Sequence, residues 1–129
     1  MSAESSPGGH AVSVSEDLPN FFRNPWLAHR TRRALARGTK RAVGDLRPLG
    51  VTRAISFLGF HCDPVVWLVT ETDAARDAIC RNGIPRDQVI DHLLKAGVRR
   101  DLAAVAGVTV ESQETVDREW DGNWHFAMR

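Results

Sequence analysis

Three features of the chain predict an α+β fold. They are an apolar arc at helical spacing after Asn24, two β-branched and aromatic runs on either side of Asp63-Pro64, and a return to alternating residues after Gly107. Taken in order they predict one α+β domain over residues 23–129, arranged α-ββ-αα-ββ, with a four-stranded, mainly antiparallel sheet packed by helices. A chain of 129 residues, 43% hydrophobic and 26% charged, can bury a core of ordinary globular kind.

Residues 1–22 are rich in Ser, Gly, Pro and acid and poor in large apolar groups. Such a segment buries too little surface to offset its ordering entropy, so it is expected to be a disordered acidic arm. Asn24 can then cap a helix and Pro25 can take its first position. Leu27, Thr31, Ala34, Leu35, Gly38, Ala42 and Leu46 share one face at 3.6 residues per turn. Gly38, Thr39 and Gly44 have weak helix propensity, which predicts a break or bend near 38–45. Leu46 to Gly50, with Pro48, ends the element.

The next two runs, about 51–61 and 65–71, predict a β-hairpin turned at Asp63-Pro64. Both faces of that hairpin are largely apolar, so it is expected to lie centrally or under helices. Thr72-Asp73 offers a cap to a helix over 74–81, closed by Asn82-Gly83. Pro85 opens another helix, with Val89, Ile90, Leu93, Leu94 and Ala96 as its buried stripe. A short third segment over 99–106 stops at Gly107. Val108, Val110, Val116 and Trp120 then alternate with Thr109, Glu111, Gln113, Thr115, Asp117 and Glu119, predicting a strand interrupted at Ser112 and Glu114. Asp121-Gly122 is a strong hairpin signal, which would set Trp120 and Trp124 on either side of a second turn. There they either pack across the strands or form an apolar binding anchor.

Charge is unevenly placed. Residues 1–22 carry −3, residues 23–53 carry +8 and residues 54–129 carry −4, for a net +1. Arg30, Arg33, Arg37 and Arg41 form a stripe beside the apolar arc of the first helix, with Arg23, Arg32, Lys40 and Arg47 nearby. Such a stripe is either a solvated face, pairing with the acidic strand face of 109–119, or a docking surface for an anionic partner. Guanidinium forks suit carboxylate and phosphate alike. Few aromatics are interleaved with the basic residues beyond Phe21, Phe22 and Trp26, and net charge is far from strongly basic. Both facts favour an acidic protein surface over nucleic acid. The −3 arm, placed before the +8 helix, is expected to mask it.

Other readings are weaker. Leu102 to Arg118 has the cadence of a helix-turn-helix, but Gln113 would stand where an apolar side chain is needed. Glu111, Glu114, Asp117 and Glu119 would also face phosphates. His61-Cys62-Asp63 invites a thiol nucleophile, yet neighbouring residues on a strand point to opposite faces. His10, His29, His61, His92, His125 and the two cysteines show no metal-binding spacing, so no metal or cofactor is expected. Phosphate-loop, dinucleotide and serine-hydrolase motifs are absent. No apolar run approaches the ~20 residues that span a bilayer. Without an export signal, Cys62 and Cys80 read as reduced thiols and the cytoplasm as the expected location. The expectation is therefore a non-catalytic binding protein of inhibitor, immunity or adaptor type. It would grip its partner through Arg30, Arg33, Arg37 and Arg41, with Trp120 and Trp124 as anchor. Nucleic-acid binding through the same helix is one alternative. The other is a small enzyme with a pocket near His61, Cys62, Asp63 or His125.

Overall fold

The structure is a computed structural model, and residues 24–59 and 61–129 are described. The acidic arm over 1–22, its disorder and its masking of the helix lie outside those residues.

The first helix, α1, runs Pro25–Leu46. The Asn24 carboxamide oxygen accepts a hydrogen bond from the Leu27 amide at 3.0 Å, and Pro25 opens the first turn, as the sequence predicts. The predicted break does not occur, and the helix is continuous through Gly38 and Gly44. The reason is tertiary. A Cβ at Gly38 would come within 2.9 Å of the Leu93 Cα and 3.0 Å of the His92 carbonyl oxygen, so the glycine is where a second helix crosses in backbone contact. Packing there outweighs the propensity penalty. The buried stripe holds Thr31, Ala34, Leu35, Gly38, Ala42 and Leu46 from the predicted arc, and adds Ala28, Thr39 and Val43. A single 3-10 turn, Arg47–Leu49, then leads to Gly50, whose φ of 102° lies in the left-handed region that glycine adopts without strain.

Strands β1 (Val51–Leu58) and β2 (Pro64–Thr70) form the predicted antiparallel hairpin, pairing Leu58 with Pro64 and Ala54 with Leu68. Helix α2 (Asp73–Asn82) begins at the Thr72 cap, α3 (Arg86–Lys95) follows Pro85, and α4 (Arg100–Ala104) ends at Val105. The Arg86 guanidinium donates to the carbonyls of Ala104 and Ala106 and ties α3 to the end of α4. Strand β3 (Gly107–Ser112) then lies parallel to β2, with Val66 opposite Val108 and Leu68 opposite Val110.

The sheet is therefore three-stranded and mixed, in the order β1-β2-β3, rather than four-stranded and mainly antiparallel. The element order is α-ββ-ααα-β-αα. Where the alternation predicts a strand to residue 120, the chain turns helical at Ser112. The Ser112 hydroxyl accepts from the Thr115 amide and caps α5 (Gln113–Trp120). Asp121 and Gly122, at φ 51° and 77°, close that helix instead of turning a hairpin. Asn123 caps a last short helix, α6 (Trp124–Ala127). The helix-turn-helix cadence also resolves here, because β3 separates its two helical halves.

One face of the sheet, with Val66, Leu68 and Val110, packs against Leu35, Ala42 and Leu46 of α1 and Val89 and Leu93 of α3 in a single hydrophobic core. Among the described residues the opposite face carries Ile55, Val65 and Trp67, each half-buried, and Phe57, which is exposed. The predicted apolar character of both faces is present, while the helical cover is concentrated on one.

The two α1 glycines should respond oppositely to alanine. Gly38→Ala forces apart two touching backbones and is expected to cost about 1–3 kcal/mol despite its helix propensity gain. Gly44→Ala meets nothing within 4 Å and should stabilise by about 0.5–1 kcal/mol. Urea unfolding of the two variants checks both signs.

Candidate functional site

The α1–α3 crossing also places the arginine stripe. Arg30, Arg33, Arg37 and Arg41 are all exposed. Arg37 lies nearest the crossing, and its Nη2 donates to the Ala96 carbonyl oxygen at 3.0 Å, where α3 ends. A cation held at a helix C-terminus satisfies an orphan carbonyl and faces the negative end of the helix dipole. Beyond Arg37 the surface opens into a concavity of about 440 Å³ between the first turns of α1 and the α3–α4 connection. Arg30, Arg33, Arg37 and Arg99 line it, together with Trp26 and His29. Arg41, farther along the helix, is outside it.

No carboxylate among the described residues lies within ion-pair distance of Arg30, Arg33 or Arg41. Arg99 is clamped by Asp101 at 2.8 Å. The acidic residues of 109–119 form no ion pair with the α1 stripe; Glu111 pairs with Arg76 at 2.6 Å and Glu119 with Arg118 at 3.4 Å. Trp26 is 69% exposed, and its ring stacks on His29 with centroids 6.1 Å apart. Thr31, buried among the lining residues, adds a hydroxyl. The groove thus combines uncompensated guanidinium groups with an exposed aromatic plate, a combination suited to an anion with an apolar or planar neighbour.

Trp120 and Trp124 do not flank a hairpin and are not part of this groove. Trp120 sits at the end of α5, 44% exposed. Trp124 starts α6, where its indole N–H donates to Gln113 at 3.0 Å and its ring lies beneath Arg53 at 5.3 Å. Among the described residues Trp26 is the tryptophan that lines the groove. The sequence signal for it was its position one turn before Arg30, on the side of the helix that carries Arg33 and Arg37.

His61, Cys62 and Asp63 belong to the β1–β2 turn, and Cys62 has a left-handed φ of 65°. Cys62 and Cys80 are both free thiols, the first half-buried and the second exposed. His125 is exposed on α6. Neither His61, Cys62, Asp63 nor His125 lines the arginine groove. Among the described residues no three His, Cys, Asp or Glu side chains gather as a metal site, and no helix is long and apolar enough to cross a membrane.

The richest polar cluster lies elsewhere, at the carboxyl ends of the parallel strands β2 and β3. Open α/β sheets commonly bind ligands at such an edge. Here the cluster is closed on itself. Asp73 accepts from the hydroxyls of Ser112 and Thr115 and from Arg118 at 3.0 Å. Arg76 bonds Glu111, Thr115 and Asp77. The Asp73 amide donates to Glu114, and the Glu114 amide to the Glu71 carbonyl. These bonds pin α2 and α5 to the sheet edge and leave little capacity for a ligand. The Ser112 and Thr115 hydroxyls, with Arg118, hold the Asp73 carboxyl well below its usual range.

No protein-family model matches the chain, and no curated protein or solved structure is significantly similar to it.

Because the folded-state pKa of Asp73 is depressed, its stabilisation is complete above the ordinary carboxylate value and is lost as pH falls through the folded one. Asp73→Asn should therefore lower the melting temperature by a constant amount from neutral pH down to about pH 5, with the gap narrowing below about pH 4. Thermal melts across that range check this, and a gap of constant size at every pH would contradict an ionised Asp73 in the network.

Proposed function

We propose that this protein is a non-catalytic binding protein, of the inhibitor, immunity or adaptor type, that grips an acidic segment of a protein partner in the groove of α1. One observation carries the reading. Arg30 and Arg33 open into a concavity in which no carboxylate among the described residues meets them, while Glu111 is committed to Arg76 and Asp73 to Arg118. Unpaired like charges side by side repel one another, so a surface that keeps them together is suited to an external anion. Trp26, which lines the groove, supplies the apolar contact in place of Trp120 and Trp124. Tryptophan and arginine are also the residue types that dominate binding hot spots.

A second reading rests on the Trp26–His29 pair. A stacked aromatic pair beside guanidinium groups can also take a base and its phosphates, which favours single-stranded nucleic acid.

The two readings separate by titration with a polyglutamate peptide and with a single-stranded oligonucleotide of matched charge, at low and at physiological salt. The peptide is expected to bind the more tightly, and Arg30→Glu/Arg33→Glu should weaken it by at least about tenfold. The variant should stay folded, since no ion pair among the described residues involves either side chain. Preference for the oligonucleotide, with affinity falling steeply with salt, selects the second reading. A protein that binds neither, or whose binding survives the charge reversal, would refute both.

A further inference from the structure

The opposite flank of α1 carries a second cationic concavity, separate from the arginine groove. It is a cleft of about 350 Å³ between α1 and β1, lined by Thr39, Lys40, Arg47, Thr52, Arg53 and Ser56 among others. No carboxylate among the described residues forms an ion pair with Lys40, Arg47 or Arg53. Arg53 is nonetheless held in place, donating to Gln113 at 3.1 Å and lying over the Trp124 ring at 5.3 Å. The Thr52 hydroxyl is spent on the Val69 carbonyl. Thr39 differs. It is 5% exposed, and its hydroxyl is the one buried side-chain polar atom among the described residues with no hydrogen-bond partner. A buried hydroxyl left unpaired is destabilising, and such groups are rare in folded proteins.

We propose that this cleft binds a phosphoryl group, with Lys40, Arg47 and Arg53 supplying positive charge and the Thr39 and Ser56 hydroxyls supplying neutral donors. The charge pattern favours phosphate over carboxylate. A carboxylate offers two oxygens in one plane, whereas a phosphoryl dianion has three, spread tetrahedrally, to share among several cations and hydroxyls. The cleft has more room than a bare phosphate needs, so the terminal group of a small phosphomonoester fits as well as the free anion. On this assignment the Thr39 hydroxyl finds its partner only when the site is filled. The reading is independent of the arginine groove, which shares none of these residues.

The test is a titration of the whole chain with inorganic phosphate and, separately, with ribose 5-phosphate, followed by the indole N–H resonances in two-dimensional NMR. A saturable shift of one indole signal, assigned to Trp124 by its loss in Trp124→Phe, is expected, with a dissociation constant on the order of 1 mM or tighter. Tighter binding of the sugar phosphate identifies an ester as the ligand, and equal binding identifies the free anion. Lys40→Gln/Arg47→Gln should weaken either ligand about tenfold or more. Thr39→Val separates a ligand site from a mere packing defect. Replacing an orphan hydroxyl with a methyl should leave the melting temperature unchanged or higher, and phosphate affinity should nonetheless fall several-fold. No saturable shift with either ligand, or binding that Lys40→Gln/Arg47→Gln and Thr39→Val leave intact, would overturn the assignment. Arg30→Glu/Arg33→Glu is expected to leave phosphate binding unchanged, so failure of the groove and failure of the cleft are read separately.

Discussion

The contact of α1 with α3 at Gly38 is the constraint on which the rest of the molecule depends. Only a glycine lets the α1 backbone reach Leu93 at that distance, and the close crossing has three consequences. It keeps α1 straight through residues of poor helix propensity. It presses Leu35 and Ala42 onto Leu93 and Leu68 in the core. It also brings the end of α3 beneath Arg37, so that the Ala96 carbonyl anchors one guanidinium and the surface beyond it becomes a groove instead of a convex helix face. The groove is thus a by-product of how two helices meet.

Electrostatics divides the molecule in two. At the carboxyl edge of the parallel strands, acid and base neutralise each other. Asp73, Glu111, Arg76 and Arg118 form one hydrogen-bonded set that closes the β2–α2 and β3–α5 junctions. Among the described residues no carboxylate pairs with the arginines and lysine of α1. Among the described residues the uneven charge visible in the sequence survives folding, since Glu111 and Glu119 pair with Arg76 and Arg118 and none of the acids of 109–121 pairs with α1. Strand β3, which carries Glu111, lies on the far side of β2 from β1.

Elements whose signals are local were legible in the sequence. The Asn24-Pro25 start, the Asp63-Pro64 turn, the Thr72 cap and the Pro85 boundary each rest on backbone chemistry within a few residues, and each is found. The tail was misread because two of its signals are ambiguous. Asp121-Gly122 satisfies the positive φ of a hairpin turn and equally that of a helix C-terminus. Ser112 to Trp120 places polar residues on alternate positions, but its buried pair, Thr115 and Val116, is adjacent, which only a helix can put on one side. The Ser112 cap was the decisive clue. The third strand's direction was legible only through its long helical connection from β2, since crossovers of that kind join parallel strands. Gly38 could not be understood locally at all. Its propensity argues for a break, and the partner that reverses the argument is 55 residues away in sequence. For the site, the stripe itself was legible, whereas the groove, which Trp26 lines and Trp120 and Trp124 do not, depends on the same distant contact.

The central claim is that the guanidinium groups of Arg30 and Arg33 are left uncompensated by the folded chain and are answered by an external anion. Arginine Nε–Hε resonances of the full-length protein test this directly, because they are broadened when the group exchanges with water and sharpen when it is clamped. We predict weak, exchange-broadened signals from Arg30 and Arg33 in the free protein, a sharp signal from Arg37, and sharpening of the first two on addition of polyglutamate. Sharp Arg30 and Arg33 signals in the free chain, unmoved by the peptide, would show that the charges are already satisfied internally and that the groove has no ligand to await.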